Sequence, residues 1–304
     1  MSASKPEWLK KKLMMDRRHL GKVKSVLRGL ALHSVCEGAK CPNIGECFAS
    51  KTATFMILGD TCTRKCRFCA VKKGTPSMID EHEPEHIAEA VFKLNLKHVV
   101  ITSVTRDDLI DGGAGHFARV VNVLKNKCPD TTIELLIPDL QGNWKALEEI
   151  VTARPDVLNH NIETVPSLYE YVRPGAEYKR SLELLRKVKE MDSSIITKSG
   201  IMVGLGESET ELYSTMDDLL AVGCSMITIG QYLQPSHGHM AVARYVTPDE
   251  FEVYKNTAIK KGFAFVSAGP LVRSSYHAAQ GLSILQKLDS DPNFSSQKDS
   301  KSSK

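Results

Sequence analysis

The sequence predicts an α/β protein built as a partial (β/α)6 barrel of the TIM type, with N- and C-terminal extensions covering the barrel mouth. Short β-branched, apolar runs alternate with longer stretches of helical periodicity, which favours a parallel sheet. Polar residues also follow one strand after another, and in a barrel all C-terminal strand ends meet at one mouth. An open sheet usually places polar groups at only two adjacent strand ends.

Six strands are predicted from runs rich in β-branched and apolar residues. They are TATFMIL (52–58), HVVITSV (98–104), TIELLIP (132–138), DVLNHNIE (156–163), TKSGIMVGL (197–205) and MITIGQYL (226–233). A seventh run, FAFVSAGPLV (263–272), is a candidate for a further strand closing one side. Helices are predicted between strands, including 83–96, 179–191 and 208–222. Pro84 suits a first helical position, and Ser208 with Glu211 forms a capping box.

The chain divides into four predicted segments. Residues 1–50 form an N-terminal extension, 51–262 the barrel, 263–285 a C-terminal extension and 286–304 a tail. From Ser295 onward the tail contains only polar residues, so it cannot bury enough apolar surface to order itself.

Composition limits the class of protein. The 304 residues are 42% hydrophobic, enough for a large core, and the net charge of +4 gives little support for nucleic-acid binding. No apolar run approaches the ~18 residues of a membrane span, and no signal peptide is visible. We therefore expect a soluble, cytoplasmic protein that binds neither nucleic acid nor membrane. The basic arm over 5–28 resembles a transit peptide in its positive charge, and a mitochondrial or plastid location is therefore the alternative. Transit peptides are rich in arginine and serine, however, whereas this arm is rich in lysine, which disfavours that alternative.

The stretch GDTCTRKCRFCAV carries Cys62, Cys66 and Cys69 directly after the first predicted strand. Structural zinc sites use four ligands, typically in two pairs, so three clustered thiols fit zinc poorly. Thiolates are soft ligands suited to iron–sulfur clusters. A [4Fe–4S] cube held by three cysteines would leave one iron open to another ligand.

This CxxxCxxC stretch resembles the radical S-adenosylmethionine superfamily. The resemblance implies that the three cysteines bind a [4Fe–4S] cluster and that S-adenosylmethionine chelates the fourth iron. An electron then cleaves the sulfonium and releases a 5′-deoxyadenosyl radical, which requires the low potentials, to about −700 mV, that such clusters reach. Phe68 occupies the position where the superfamily has an aromatic residue beside the adenine.

Four further residues are candidate contacts to S-adenosylmethionine. Asn161 and Glu163 of NHNIET suit ribose hydroxyls or an ammonium group, and Arg173 is a forked donor matched to a carboxylate. Ser103 lies next to the C-terminal end of the second predicted strand. The segment GIMVGLGE (200–207) resembles the adenine-side strand of the superfamily. The alternative is that these buried groups satisfy backbone atoms and that the arginine caps a turn.

A second cysteine group, Cys36, Cys41 and Cys47, precedes the first strand. A zinc knuckle is one interpretation. CxxxxCxxxxxC upstream of CxxxCxxC, however, resembles the lipoyl synthase family. Further stretches match that family in order from Pro6 to about Ala279: PEWLK, TRDDL, DGGAGHF, NHNIETVPSLY, VRPGAEY, MVGLGE, QYLQPS, RYVTP and GPLVRSSYHA.

The resemblance implies a second [4Fe–4S] cluster held by these three cysteines and by Ser275 of RSSY, with Ser274 as the alternative ligand. It implies insertion of two sulfur atoms, taken from this auxiliary cluster, at C6 and C8 of an octanoyl group on a lysine of a lipoyl carrier domain. Cys62, Cys66, Cys69 and Ser275 are then the catalytic candidates. The implied carriers are 2-oxoacid dehydrogenase E2 subunits and glycine cleavage H protein, and the implied electron donor is ferredoxin or flavodoxin.

Two other classes stay open at this point. Another sulfur-inserting radical enzyme, of the biotin synthase or methylthiotransferase type, would share the first cysteine group, but the place and spacing of the second group disfavour it. A zinc-stabilised nucleic-acid-binding module would need a concentrated basic face, which the charge balance disfavours.

Overall fold

A computed structural model describes residues 5–10, 17–35, 43–276 and 278–289. Its centre is an eight-stranded sheet with the order β1-β2-β5-β6-β7-β8-β9-β10. The strands of this sheet are β1 (His33–Ser34), β2 (Thr52–Ile57), β5 (His98–Ser103), β6 (Thr132–Leu136), β7 (Val157–Asn159), β8 (Ile196–Val203), β9 (Met226–Gln231) and β10 (Phe265–Gly269). A separate two-stranded ladder pairs β3 (Thr61–Cys62) with β4 (Lys72–Lys73).

Helices connect successive strands. They are α1 (Arg17–Gly29), α2 (Ile44–Ala49), α3 (Glu83–Lys93), α4 (Ala114–Lys127), α5 (Trp144–Thr152), α6 (Tyr169–Val172), α7 (Tyr178–Met191), α8 (Glu209–Ala221), α9 (Pro248–Lys261) and α10 (Ala278–Asp289). Short 3-10 turns occupy Glu7–Leu9, Leu140–Gly142 and Pro166–Leu168.

The predicted partial barrel is confirmed. The six predicted strands pair in parallel with their neighbours in chain order, and β10 adds a seventh beside β9, as the FAFVSAGPLV run suggested. Strand β1 was not predicted; it pairs antiparallel with β2 through only two residues. Strands β2 and β9 are buried along their whole length, because helices cover one face and the barrel interior the other.

The helix ends follow their sequence signals. Ser208 accepts a hydrogen bond from the Glu211 N–H, and the Glu211 carboxylate accepts one from the Ser208 N–H, which confirms the predicted capping box. Pro84 lies in the first turn of α3, as predicted.

Two boundaries differ from the predicted segments. Strand β10 belongs to the main sheet although it lies beyond residue 262, because it pairs with β9 over five residues. Helix α10 continues to Asp289, four residues past the predicted boundary at 285. Cys36, Cys41 and the tail from residue 290 lie outside the described residues. Among the helices of the described part, none combines the length and the apolar composition needed to cross a membrane.

Candidate functional site

The three cysteines of the first group lie on one loop beside the end of β2. Cys62 ends β3, and Cys66 and Cys69 follow before the chain returns as β4. All three are half-buried. The Thr105 N–H donates a hydrogen bond to Cys62 Sγ at 3.3 Å. The loop thus turns the Cys62 sulfur atom toward the connection that follows β5.

Burial raises the pKa of the Cys66 and Cys69 thiols, for Cys69 to about 11. Glu163 and Cys62 raise the pKa of both thiols further, Cys66 also raises that of Cys69, and Arg173 lowers that of Cys66. Without a bound cation these thiols would therefore stay protonated at neutral pH. A coordinated metal deprotonates a thiol outright, so the raised pKa values do not prevent these cysteines from binding a cluster as thiolates.

Zinc and a cluster place different demands on this loop. No group of three or more His, Cys, Asp or Glu side chains in the described part of the chain is arranged to hold one metal ion. A single ion needs its ligands to converge on one point. In an iron–sulfur cube each cysteine binds a different iron, so the three sulfur atoms lie further apart.

Neighbouring loops fix the backbone of the cysteine loop. The Arg67 N–H donates to Val172 O at 2.9 Å, and Arg67 O accepts from the Met240 N–H at 3.1 Å. His239 Nε2–H donates to Cys69 O at 3.0 Å. Phe68, predicted beside the adenine, packs against an apolar cluster of Val172, Leu205 and Tyr232. Its ring therefore belongs to an apolar wall at the strand ends.

A buried ion-pair network anchors the cysteine loop to the neighbouring strand connections, and the sequence did not predict it. Arg64 forms a fork with Asp107, at 2.7 and 2.9 Å, and also donates to Asp139 at 2.5 Å. Asp139 accepts in turn from Arg180, at the start of α7. The network joins the connections after β2, β5 and β6. Asp139 stood out in the sequence as a polar strand end, but nothing in the spacing indicated its partners.

Asn161, Glu163 and Arg173 come together beside Cys66. Asn161 Nδ2 donates to Glu163 Oε1 at 3.1 Å, and burial raises the pKa of Glu163. Arg173 Nη1 donates to Asn161 O at 2.9 Å and to Tyr169 Oη at 2.6 Å. The arginine thus satisfies the backbone carbonyl of Asn161, a contact that neither sequence interpretation had specified.

Unpartnered polar atoms remain at the same place. Ser103 Oγ, Asn161 Oδ1 and Arg173 Nε are buried and have no hydrogen-bond partner within the described residues. Buried polar groups are normally paired, so orphaned ones at one barrel mouth indicate a missing polar ligand. Three of the five residues expected from the sequence to contact S-adenosylmethionine supply these atoms. A ligand with hydroxyl, amino and carboxylate groups fits them.

Two glycines of the GIMVGLGE segment leave room at this mouth. A Cβ at Gly200 would lie 2.7 Å from Asn161 Oδ1 and 2.9 Å from Thr228 Oγ1. One at Gly204 would lie 2.2 Å from Gln231 Nε2, and Gly204 has a φ of +91°. Side chains there would displace the polar groups that line the strand ends.

The second cysteine group is described only at Cys47, which lies half-buried in α2. Two hydrogen bonds tie this segment to the loop after β10. Asn43 Nδ2 donates to Leu271 O at 2.6 Å, and Tyr276 Oη donates to Glu46 Oε1 at 2.9 Å. Burial, together with Glu46 and Cys47, raises the pKa of Tyr276 to about 12. Ser274 and Ser275 precede this tyrosine in the same turn.

Comparison with known proteins agrees with this geometry. The sequence matches the Radical SAM superfamily over residues 56–219. A crystal structure of methylornithine synthase shares the fold, with a TM-score of 0.54 at 12% identity over 81% of each chain. Lipoyl synthase of Caldanaerobacter subterraneus subsp. tengcongensis is 57% identical over 284 residues, 93% of this chain and 99% of the relative. The lipoyl synthase of Alkaliphilus metalliredigens is 56% identical over 286 residues, 94% of this chain and 98% of the relative.

The chain belongs to the lipoyl synthase family. Lipoyl synthases are radical S-adenosylmethionine enzymes that use S-adenosylmethionine and two [4Fe–4S] clusters. Two separate cysteine groups, one on the barrel loop and one reaching α2, match that number of clusters. The family match removes the zinc-stabilised nucleic-acid-binding module as an interpretation.

Proposed function

We propose that this protein inserts two sulfur atoms, at C6 and C8, into an octanoyl group that is amide-linked to a lysine of a lipoyl carrier domain. Two unactivated C–H bonds are broken and two C–S bonds form, so two molecules of S-adenosylmethionine are consumed for each product. When bound, the first cluster and S-adenosylmethionine supply the radical, and the auxiliary cluster supplies the sulfur.

The observation that supports sulfur insertion, over other radical chemistry, is the contact between α2 and the turn after β10. Asn43 and Glu46 of the N-terminal segment bond to Leu271 and Tyr276 of the C-terminal one. Cys47 lies one position after Glu46, and Ser275 one before Tyr276. The two groups assigned to the auxiliary cluster therefore belong to segments that are held together.

For the first site we assign Cys62, Cys66 and Cys69 as cluster ligands. Arg173 binds the carboxylate of S-adenosylmethionine through its free Nε–H, since a guanidinium fork matches a carboxylate. Glu163 and Asn161 bind the ammonium group or the ribose hydroxyls. Ser103 Oγ, at the end of β5, is a further polar contact, and Phe68 lies against the adenine.

For the second site we assign Cys36, Cys41, Cys47 and Ser275 as the auxiliary cluster ligands, with Ser274 as the alternative oxygen ligand. A hydroxyl oxygen is a harder ligand than a thiolate and binds iron–sulfur clusters less well. Such a ligand is readily displaced, which suits a cluster that gives up its sulfur. Residues 1–50 and 263–285 then act as extensions that bring this cluster to the barrel mouth.

The partners follow from the reaction. The enzyme acts in the cytoplasm on octanoylated carrier domains, namely 2-oxoacid dehydrogenase E2 subunits and glycine cleavage H protein. Ferredoxin or flavodoxin supplies the electron. The basic arm over 5–28 assists docking of acidic carrier domains. Reversing the charge of Lys10, Lys11 and Lys12 should therefore weaken carrier binding. An unchanged affinity for the carrier would contradict this role.

The test is product analysis with the purified, anaerobically reconstituted enzyme, S-adenosylmethionine, dithionite and an octanoylated carrier domain. Mass spectrometry should show a carrier that has gained two sulfur atoms, with its hydrogen count unchanged in the dithiol and two hydrogens lower once the dithiol is oxidised to the cyclic disulfide. Two 5′-deoxyadenosines should form per product. The Ser275→Ala variant should lose sulfur insertion while retaining S-adenosylmethionine cleavage, and Ser283→Ala, an exposed serine of α10, is its control. Cleavage without any sulfur-containing product from the parent enzyme would contradict the assignment.

A further inference from the structure

Four basic side chains are exposed on the outer face of the cysteine loop, and we call them the basic rim. They are Lys65, Arg67, Lys72 and Lys73. Arg64, on the same loop, is buried and paired with carboxylates, so it does not contribute to this surface. Across residues 59–79 the acidic side chain is Asp60, and four exposed cations against one anion leave a local charge of +3.

Two cations of the basic rim are fixed next to a cluster ligand. In the β3–β4 ladder Thr61 pairs with Lys72 and Cys62 pairs with Lys73. The Gly74 N–H donates to Cys62 O at 3.1 Å and continues this register. The backbone thus holds the two lysines beside Cys62, with both side chains in solvent.

A third cation of the rim is oriented by an aromatic ring. The Arg67 guanidinium lies 4.0 Å from the centre of the Tyr171 ring, a cation–π contact, and the tyrosine is 52% exposed. The Arg67 backbone is bonded on one side to Val172 and on the other to Met240. The charge therefore sits at a defined place on the surface rather than on a mobile chain.

The loop has two functionally different faces. Its inner face carries Cys66 beside Glu163 and Arg173, and Phe68 packs into the apolar wall. In the proposed function, the substrate and S-adenosylmethionine bind on that side. The outer face is the solvent-exposed side of the loop, where the basic rim lies, and the ladder pairs Lys73 with the cluster ligand Cys62. Since electron transfer slows steeply with distance, this face offers a reductant a short route to the cluster.

We propose that the basic rim is the docking surface for an acidic, low-potential electron-donor protein. This inference rests on the proposed function, because it presumes a cluster on Cys62, Cys66 and Cys69. Opposite charge on two surfaces accelerates encounter and sets orientation, with on-rates raised by about 10- to 1,000-fold. An acidic carrier domain is the other candidate for a basic surface. It must deliver its octanoyl chain to the inner face, so the outer face favours the donor.

The test compares two reductants on one variant, Lys65→Glu/Lys72→Glu/Lys73→Glu. With reduced flavodoxin at low salt, the rate of 5′-deoxyadenosine formation should fall by about tenfold or more, and its dependence on ionic strength should flatten. With dithionite, a small reductant that needs no docking surface, the rate should equal that of the parent enzyme. The control Lys97→Glu/Lys125→Glu/Lys127→Glu, at the opposite end of the barrel, should behave as the parent with both reductants.

Two further variants separate charge from folding. Lys65→Arg/Lys72→Arg/Lys73→Arg should keep the rate with flavodoxin. Lys72→Gln/Lys73→Gln leaves the CxxxCxxC spacing unaltered and should still slow the reaction with flavodoxin while retaining its iron. A parent enzyme that cleaves no S-adenosylmethionine with dithionite would defeat the proposed function itself. An equal loss with both reductants, no loss with either, or a weaker affinity for the carrier domain alone would overturn the rim as a donor site.

Discussion

At the scale of single residues, Arg173 is positioned by a chain of buried hydrogen bonds. Its Nη1 donates to Tyr169 Oη, and that hydroxyl lies 2.6 Å from Ser181 Oγ. Ser181 Oγ lies 3.0 Å from His160 Nε2, and His160 Nδ1 lies 2.8 Å from Ile137 O. A carbonyl only accepts, so His160 carries its proton on Nδ1 and accepts from Ser181. This series of hydrogen bonds fixes the Nη1 side of the guanidinium and leaves the Nε–H of Arg173 for a ligand.

The Arg173→Lys variant tests this assignment. Lysine keeps the charge but loses the fork, so the Kd for S-adenosylmethionine should rise by about tenfold to a hundredfold, the worth of one charged hydrogen bond. Equilibrium dialysis of the reconstituted enzyme measures it. Arg186→Lys, an exposed arginine on α7, should leave the Kd unchanged. Equal values for parent and Arg173→Lys would remove Arg173 from the binding site.

Gly200 tests the space around Asn161. In Gly200→Ala the new methyl group would lie within 3 Å of two oxygen atoms, Asn161 Oδ1 and Thr228 Oγ1, so the asparagine must move. We expect S-adenosylmethionine binding to weaken by about tenfold, roughly 1.4 kcal/mol. Gly21→Ala in α1 meets nothing within 4 Å and should stabilise the protein slightly. Parent-like binding by Gly200→Ala would show that Asn161 does not contact the ligand.

The residues that could be predicted are those whose neighbours along the chain reveal them. Cys62, Cys66 and Cys69 could be identified as candidate ligands from the sequence because they lie within eight consecutive residues. The Arg64 network was not, since its partners lie 43 and 75 positions away and meet only once the barrel has formed. The orphaned atoms of Asn161 and Arg173 likewise become visible only in three dimensions.

At the scale of elements, the cysteine loop depends on its buried anchor. Asp139 is fully buried and accepts from both Arg64 and Arg180. The Asp139→Asn variant removes the buried carboxylate that Arg64 and Arg180 share, which leaves Arg64 with Asp107 alone and Arg180 with the exposed Glu177. This loss should lower the free energy of unfolding by about 3 kcal/mol. Because we assign the first cluster to this loop, we expect iron retention to fall too.

Urea unfolding and iron analysis of Asp139→Asn provide the measurement. Asp217→Asn is the matched control, since it breaks the ion pair to Lys261 with its carboxylate 60% exposed and should cost less than about 1 kcal/mol. Equal effects of the two substitutions would show that burial of Asp139 contributes nothing to loop stability.

Elements with long apolar or periodic runs were predictable, and short ones were not. The six strands and β10 follow from continuous burial that the sequence displays as β-branched runs. Strand β1 has only two residues, too few to show an alternation of polar and apolar side chains. Its pairing with β2 depends on tertiary contacts that the local sequence does not reveal. Helix α10 is anchored by Leu282 and Leu285, which are buried, and it continues past residue 285. The amino-acid composition of this segment did not predict that continuation.

At the scale of the whole molecule, His160 couples stability to pH. Burial, together with the Arg173 charge, lowers its pKa from 6.5 to about 4. Between pH 6.5 and pH 4 the imidazole is protonated in the unfolded state but neutral in the folded state. The contribution of His160 to the free energy of unfolding is therefore complete above pH 6.5 and is lost as the pH falls toward 4. From pH 7 to 5 the loss should be about 2 kcal/mol.

Urea unfolding at the two pH values measures this loss. In His160→Gln the imidazole is absent, so that part of the pH dependence should disappear although overall stability is lower. An unchanged difference between pH 7 and pH 5 in this variant would assign the effect to other groups.

The fold also joins a segment before the barrel to one after it, and the proposal of sulfur insertion depends on this contact. Segment 43–49 and the turn 273–276 are joined through Tyr276 and Glu46, more than 200 residues apart in sequence. In the proposed function the barrel generates the radical, and the joined segments hold the second cluster, which supplies the sulfur.

The most direct test is an anaerobic count of iron and sulfide in the parent protein and in Cys36→Ala/Cys41→Ala/Cys47→Ala. Two [4Fe–4S] clusters predict about eight irons and about eight sulfides per chain, falling to about four of each in the variant. A count of about four irons in both proteins would contradict the second cluster and sulfur insertion with it.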